Sequence, residues 1–285
     1  MSYQNLYENS TAVKPVFNIQ DKWSAALERI RATYGDIASY TRKDKNLTKF
    51  GFNAFVVDTA WTTLAQFASN TQRNFADVTG NGIAWVVSDD ATNTQEISYE
   101  GHTIDGNGNL TFVGGLTVTL NGTDPVALPT NLHIATRGGN NNGTPLADGS
   151  KVYFMTTNDV TAGVPNVATD VQLIVDAEYF DQSEKLETAT SSTDYFVVEQ
   201  LLFSINRKNA GVADALLLVQ EQGKVFKPKL APISVSTTGS STVSVRLDEL
   251  IIVPPNSRIK CVARSASGTL RVSGFISGRL ATTAF

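Results

Sequence analysis

Glu96–Leu120 reads EISYEGHTIDGNGNLTFVGGLTVTL, and its texture decides the fold. Glu96–Ile104 and Leu116–Leu120 are short runs rich in β-branched and aromatic residues, and Asp105-Gly-Asn-Gly-Asn109 between them is turn chemistry. Working outward, Ile83–Val87 (IAWVV) is another such run, with Gly80-Asn-Gly82 before it. Asn121-Gly122-Thr123 supplies the next turn, and Gly138–Gly143 (GGNNNG) reads as an exposed loop. Val171–Phe180 alternates, with Val171, Leu173, Val175, Ala177 and Tyr179 on one face and Gln172, Ile174, Asp176, Glu178 and Phe180 on the other. The C-terminal part repeats the pattern. Tyr195–Ile205 is a long apolar strand. Val243, Val245 and Leu247 alternate with Ser244 and Arg246, and Leu270–Gly278 alternates again after the break at Pro254-Pro255-Asn256. Strands at intervals of about eight to twelve residues, separated by Gly, Pro and Asn turns, are the signature of sandwiches.

The N-terminal part differs. Residues 1–18 are polar and interrupted by Pro15, with Tyr3, Tyr7 and Phe17 too widely spaced for a core, so they read as an extended arm. Trp23, Ala26, Leu27, Ile30 and Tyr34 share one helical face, with Asn18 or Asp21 as cap and Gly35 at the C′ position. Residues 41–49 (TRKDKNLTK) read as a charged linker, and 181–194 (DQSEKLETATSSTD) as a second linker, poor in bulky apolar residues. The expected fold is mainly β: two antiparallel β-sandwich-like domains preceded by an N-terminal extended arm and one helix. The boundaries are 1–50 for arm and helix, 51–180 for a first, acidic β domain, 181–194 for the linker and 195–285 for a second, basic β domain.

Composition narrows the function. The chain has 285 residues, 18% of them charged and 41% apolar, with a formal net charge of -4. That balance fits a folded chain and gives no global electrostatic case for nucleic acid or acidic lipid. One cysteine, Cys261, excludes an intramolecular disulfide, and His102 and His133 are the only histidines. No Sec-type leader is visible in Met1–Ser10, and apolar stretches such as Ala215–Val219 are far shorter than a membrane span. The charge is unevenly spread. Residues 1–50 hold eight Lys and Arg against five Asp and Glu, 51–190 hold four against sixteen, and 191–285 hold eleven against six. Two readings stay open: a solvated surface, or an acidic face that docks on the basic face of a neighbouring subunit.

Residues able to do chemistry are few, and each has a plainer role. Gly223-Lys224 lacks the upstream glycine of a phosphate loop. Gly106 and Gly108 imitate a dinucleotide fingerprint, but Thr111 stands in the third glycine position. Asp105, Asn107 and Asn109 begin like a calcium loop, yet Leu110 and Leu116 replace its glycine and its bidentate glutamate. Asp176, Glu178, Asp181 and Glu184 form the densest carboxylate cluster, read as a solvated strand face rather than a facing acid pair. Neither histidine sits in a nucleophile-elbow or HExxH context; His102 reads as a surface or hydrogen-bonded strand residue and Cys261 as a core residue. Of Trp23, Trp61 and Trp85, the last shares a face with Ile83 and Val87, which favours packing over sugar binding. No catalytic, cofactor or metal residue is assigned, and no enzymatic activity is expected.

Lys14–Trp23 (KPVFNIQDKW), Glu96–Leu110 (EISYEGHTIDGNGNL), Leu116–Leu128 (LTVTLNGTDPVAL), Tyr195–Ile205 (YFVVEQLLFSI), Val253–Ser265 (VPPNSRIKCVARS) and Leu270–Leu280 (LRVSGFISGRL) follow one another in an order that resembles a group of virion structural proteins. The group comes from tailed bacteriophages, especially those of marine bacteria and cyanobacteria. The resemblance implies a non-enzymatic virion subunit, decorating the capsid or sitting at the neck or tail. It implies partners that are copies of itself and other virion proteins, with no nucleic acid, membrane or cofactor. The alternative is a tail-associated receptor- or glycan-binding module that recognises its target through loops such as Gly138–Gly143.

Overall fold

The computed structural model describes residues 40–56, 61–64, 77–179, 181–206, 211–237, 240–266 and 268–283. The expected arm, 1–18, and the expected helix around Trp23–Tyr34 lie outside them. The chain is mainly β, in antiparallel sheets that form two sandwich-like modules.

The first module is one eight-stranded sheet. Its strands are β3 (Ile83–Ser88), β4 (Glu96–Ile104), β5 (Leu110–Thr119), β6 (Val126–Leu132), β7 (Ile134–Asn140), β8 (Lys151–Met155), β11 (Val171–Asp176) and β12 (Gln182–Glu184). A small hairpin, β9 (Val160–Thr161) with β10 (Val164–Pro165), projects between β8 and β11. The order β5-β4-β7-β12-β11-β8-β3-β6 brings the two outermost strands, β5 and β6, back against each other, so the sheet nearly closes into a barrel. Ile97, Tyr99, Val118, Leu132, Phe154 and Leu173 fill its interior. The fully buried strand β11 carries Leu173 and Val175 to that interior, and Val171 and Ile174 to a second cluster with Val87, Tyr153 and Met155. Pro129 lies in β6, an edge strand of the ladder, where the pairing with β3 is broken between Ile83 and Trp85, so its missing N–H costs no ladder bond.

The same irregularity corrects the reading of Trp85. Ile83 and Val86 face the interior, whereas Trp85 packs with Val87 on the opposite side, because the ladder with β6 loses register between Ile83 and Trp85 and the alternation of β3 is broken there.

The second module is a two-layer sandwich. One layer has the order β1-β20-β14-β18, built from β1 (Tyr40–Val56), β14 (Asp194–Asn206), β18 (Ser240–Val253) and β20 (Leu270–Thr283). The other contains β13 (Thr188–Ala189), β19 (Arg258–Ser265), β15 (Gly211–Gln220) and β16 (Lys227–Pro228), joined by β2 (Thr62–Thr63) on β19 and β17 (Ile233–Thr237) on β15. Phe196, Phe203, Leu217, Cys261, Val272 and Ile276 form the core between the layers. Each fully buried side chain of Leu, Ile or Phe size contributes roughly 1.5–3 kcal/mol of transfer free energy. A bulge between Val198 and Gln200 switches the inward set of β14 from Phe196 and Val198 to Leu201, Phe203 and Ile205. Gly278 of β20 stands at this bulge; a Cβ there would lie 2.0 Å from the Val197 carbonyl oxygen, so only glycine fits.

Four expectations about organisation change. Residues 41–49 are not a linker but part of β1, an edge strand of the C-terminal sandwich in which Lys49 is buried. Residues 51–56 of β1, Thr62, Thr63 and Leu64 also belong to that sandwich, which therefore draws on both ends of the chain. Residues 181–194 are not a free linker: they carry β12 and β13, and Lys185 to Thr190 are buried without a break. Finally, Val171–Phe180 is not one alternating strand, because β11 ends at Asp176 and a 3-10 turn, Ala177–Tyr179, follows.

Candidate functional site: the seam between the two modules

The turn chemistry that marked the β4–β5 hairpin also builds the contact between modules. Asp105 Oδ1 accepts the backbone N–H groups of Asn107 at 2.9 Å and Asn109 at 2.8 Å, and Oδ2 accepts the Asn109 amide at 2.9 Å. Those bonds hold the Asp105 carboxyl below its ordinary range, led by the Asn109 backbone bond. The residues that resembled a calcium loop thus close a turn on themselves. The hairpin then docks on the turn between β18 and β19. Asn256, at a left-handed φ of 54°, accepts Leu110 N–H at 2.9 Å and donates to Asn109 Oδ1 at 3.2 Å. Gln222 Nε2 donates to the Asn107 carbonyl at 2.9 Å from the C-terminal side.

The 185–194 segment stitches the same seam from the other flank. Thr190 Oγ1 donates to the Pro254 carbonyl at 2.7 Å and accepts Ser257 N–H at 2.9 Å, while Ser192 N–H donates to the Leu110 carbonyl at 2.9 Å. Around these bonds lie charges that are buried or largely so, apart from the exposed Asp77. Arg258 reaches Glu187 at 2.7 Å with one guanidinium nitrogen and Asp77 at 2.9 Å with the other. Lys49 bridges Glu100 and Glu184, each at 3.2 Å.

Burial and charge set the protonation states. Burial pulls the Glu187 carboxyl up, but Lys185 and Arg258 outweigh it and hold the group below the ordinary glutamate value. Burial likewise disfavours the Arg258 cation, and Glu187 and Asp77 more than restore it. Lys185 keeps the penalty: burial brings its amine down to about 8 despite Glu187. His102, 3% exposed, is lowered to about 4 by burial and then by Lys49, so it is neutral at pH 7. Burial also lowers His133, against the pull of its 2.7 Å contact with the Gly80 carbonyl.

Two clefts open along the seam. One, of about 420 Å³, is lined by Lys49, His102, Phe112, Thr188, Ser191 and Asp194 among others. The second, of about 320 Å³, has Asp77, His133, Gln222, Asn256 and Arg258 in its walls. Lys49 and Glu100 in the first and Asp77 and Arg258 in the second are tied across the seam, so the arrangement joins modules.

The remaining singled-out residues fall elsewhere. Asp176 is buried beside Lys151 at 3.8 Å and accepts Glu178 N–H, which corrects its reading as a solvated residue sharing a strand face with Glu178. Burial raises its carboxyl. Asp181 accepts the Asn140 amide and Leu146 N–H, each at 3.0 Å, and Glu184 meets Lys49, so each acid of the cluster except the exposed Glu178 has its own partner. Among the described residues no group of three or more His, Cys, Asp and Glu is placed to hold a metal ion. Cys261 is fully buried in the core and pushed up to about 12 by burial. Arg264 stacks over Trp61 at 5.0 Å, Trp23 lies outside the described residues, and Gly223-Lys224 forms a turn in which Lys224 meets Glu221. Of the expected loop Gly138–Gly143, the first three residues end β7 with both glycines buried, leaving 141–145 exposed. Sequence reasoning missed Lys49, Asp77, Lys185 and Glu187, and took the basic charge of Arg258 for docking surface rather than a tie within the chain. The one available signal was that 181–194 lacks the Gly and Pro that mark turns such as Gly80-Asn-Gly82 and Pro254-Pro255-Asn256.

No protein-family model and no curated protein matches the chain. Among solved structures it is similar to infectious bursal disease virus, Gx strain, at 8% identity and a TM-score of 0.22, over 86% of this chain and 73% of that one. It is also similar to the VP2 subviral particle of infectious bursal disease virus, at 10% identity and a TM-score of 0.23, over 90% and 78%. At such TM-scores the likeness carries no argument.

Proposed function

We propose that this chain is a non-enzymatic structural subunit of a virion, of the tailed-bacteriophage kind, placed on the capsid exterior or at the neck or tail. The observation that carries the reading is the seam. Lys49 with Glu100 and Glu184, and Arg258 with Asp77, are paired across it, while Glu187 holds Arg258 from beside β13, so the charged groups best placed for chemistry serve as ties between two β modules. A body joined in that way suits a building block that presents fixed surfaces to copies of itself and to other virion proteins. The ordered resemblance from Lys14 to Leu280 supplies the virion context. Nucleic acid, membrane and cofactors have no part in this reading.

Two measurements test it. Purified chain should form oligomers of defined mass in light scattering, and antibody against it should label intact particles at one location. A chain that stays monomeric at every concentration and labels no particle overturns the proposal.

A further inference from the structure

The four-stranded sheet ends in two long strands, β1 and β18, whose outer edges pair with no strand among the described residues. β1 and β14 run antiparallel to β20, and β18 runs antiparallel to β14. β18 is therefore antiparallel to β1, and a second copy set beside the first, β18 against β1, continues the alternation across the boundary.

The register shows where pairing can occur. On β1, residues 46–53 follow β20 without a shift; on β18, residues 240–246 follow β14 without a shift. Traced through β20 and β14, Thr48 stands at the level of Arg246, Phe50 at that of Ser244, and Phe52 at that of Thr242. Two regular edges thus occupy the same stretch of one sheet.

Each regular edge stops at a bulge, and the bulges differ in charge. On β1, the pairing skips Lys43, Asp44 and Lys45 between Arg42 and Asn46. On β18, it skips Leu247, Asp248, Glu249 and Leu250 between Arg246 and Ile251. Both lie toward the same end of the sheet, the first at the level of Val253 and the second beside Thr48. Bulges and lysines at an edge restrict pairing. Here they leave one uninterrupted segment on each edge, with a basic marker on one and an acidic marker on the other. Set beside each other in phase, the acidic bulge of β18 and the basic bulge of β1 lie within a few residues of one another, whereas two β1 edges or two β18 edges, paired antiparallel over these segments, place their bulges at opposite ends and gain no such attraction, so charge favours the unlike pair.

We propose that copies of this chain associate head to tail by adding the β18 edge of one subunit to the β1 edge of the next, a heterologous contact that generates a ring or a filament rather than a two-fold dimer. The inference rests on the self-assembling subunit proposed above and specifies its contact.

The full chain carrying Thr48→Cys is combined in turn with Thr242→Cys, Ser244→Cys or Arg246→Cys. These cover the in-phase register and two even-residue slips that keep each strand face. Cys261 is buried and serves as an internal control in the parent chain. On mild oxidation, one double variant should give a ladder of cross-linked multimers. Mixing the two corresponding single variants should stop at a cross-linked pair, and neither single variant alone should cross-link. Asp248→Lys with Glu249→Lys should weaken association at least tenfold, and adding Lys43→Glu with Lys45→Glu should restore most of it. Cross-linking by Thr48→Cys alone or Ser244→Cys alone overturns the proposal in favour of a two-fold contact. Oligomers of normal mass with no cross-link in any combination, or charge reversal without rescue, overturn it while self-assembly stands. A chain monomeric by light scattering defeats both readings.

Discussion

Lys185 offers the sharpest perturbation because its burial leaves a proton signature. The side chain is 2% exposed, and its amine titrates at about 8 in the folded chain against 10.5 for the free group. Between those values the unfolded chain holds a proton that the folded chain has released, so stability must rise with pH there. The full window is worth roughly 3 kcal/mol at 1.36 kcal/mol per pKa unit. Cys261 opposes it higher up. Burial raises that thiol from 9.0 to about 12, so above pH 9 the unfolded chain loses a proton the folded one retains, and stability falls. The two slopes largely cancel between pH 9 and 10.5, leaving a net rise of roughly 1 kcal/mol spread between about pH 7 and 9.5. With a urea m-value of about 3 kcal/mol/M, this moves the unfolding midpoint up by roughly a third of a molar. Lys185→Met should abolish the rise, and Cys261→Ala should extend it toward pH 10.5. A parent chain whose midpoint is flat from pH 8 to 9, or tracks Lys185→Met, would refute a buried, strained ammonium.

His102 gives the acid counterpart: with the imidazole at about 4 in the folded chain against 6.5 unfolded, stability falls as pH drops from 6.5 to 4. The loss is up to roughly 3 kcal/mol and should vanish in His102→Asn; the raised Asp176 and Glu184 act with the opposite sign, so the difference between the two proteins is the quantity to measure. Arg258→Ala strands the buried Glu187 and should cost about 3–5 kcal/mol in urea unfolding, while Arg258→Leu with Glu187→Leu should recover at least half. Gly278→Ala, whose Cβ would strike the Val197 carbonyl at 2.0 Å, should destabilise by about 1–3 kcal/mol or more, whereas Gly143→Ala, with nothing within 4 Å, should leave the thermal midpoint unchanged.

What the sequence revealed and what it hid follow from where each segment sits. Glu96–Ile104 is a strand with the same bounds as its apolar run, because it lies inside a sheet and its alternation is set by burial. Cys261 was legible for the same reason, flanked by Ile259 and Ala263 in one core. β1 was not, since an edge strand carries charge where a central strand carries Val or Ile, and Arg42, Lys43 and Lys45 disguise its pairing with β20. The seam was hidden by its own polarity. Lys185, Glu187, Thr188 and Thr190 are buried against partners distant in sequence, and no local pattern shows that a charged residue has its counter-ion 71 positions away, as Glu187 has in Arg258.

The regional charge split takes on a different meaning once those partners are known. Lys49 comes from the basic first fifty residues and Arg258 from the basic C-terminal part, while Glu100, Glu184, Asp77 and Glu187 all come from the acidic middle. Part of the attraction that could have been read as docking between subunits therefore acts within one, holding the sandwich formed by the two chain ends against the near-barrel formed by the middle. The Arg258–Glu187 and Lys49–Glu184 pairs are largely buried and little screened by salt, unlike charges in water, which fade beyond a Debye length of about 8 Å at physiological ionic strength. The two kinds of charge therefore separate two kinds of failure. Reversing Arg258 removes a tie inside the subunit and acts on folding. Reversing Asp248 and Glu249 changes a marker at the β18 edge and acts on association, and high salt should imitate the second reversal but not the first.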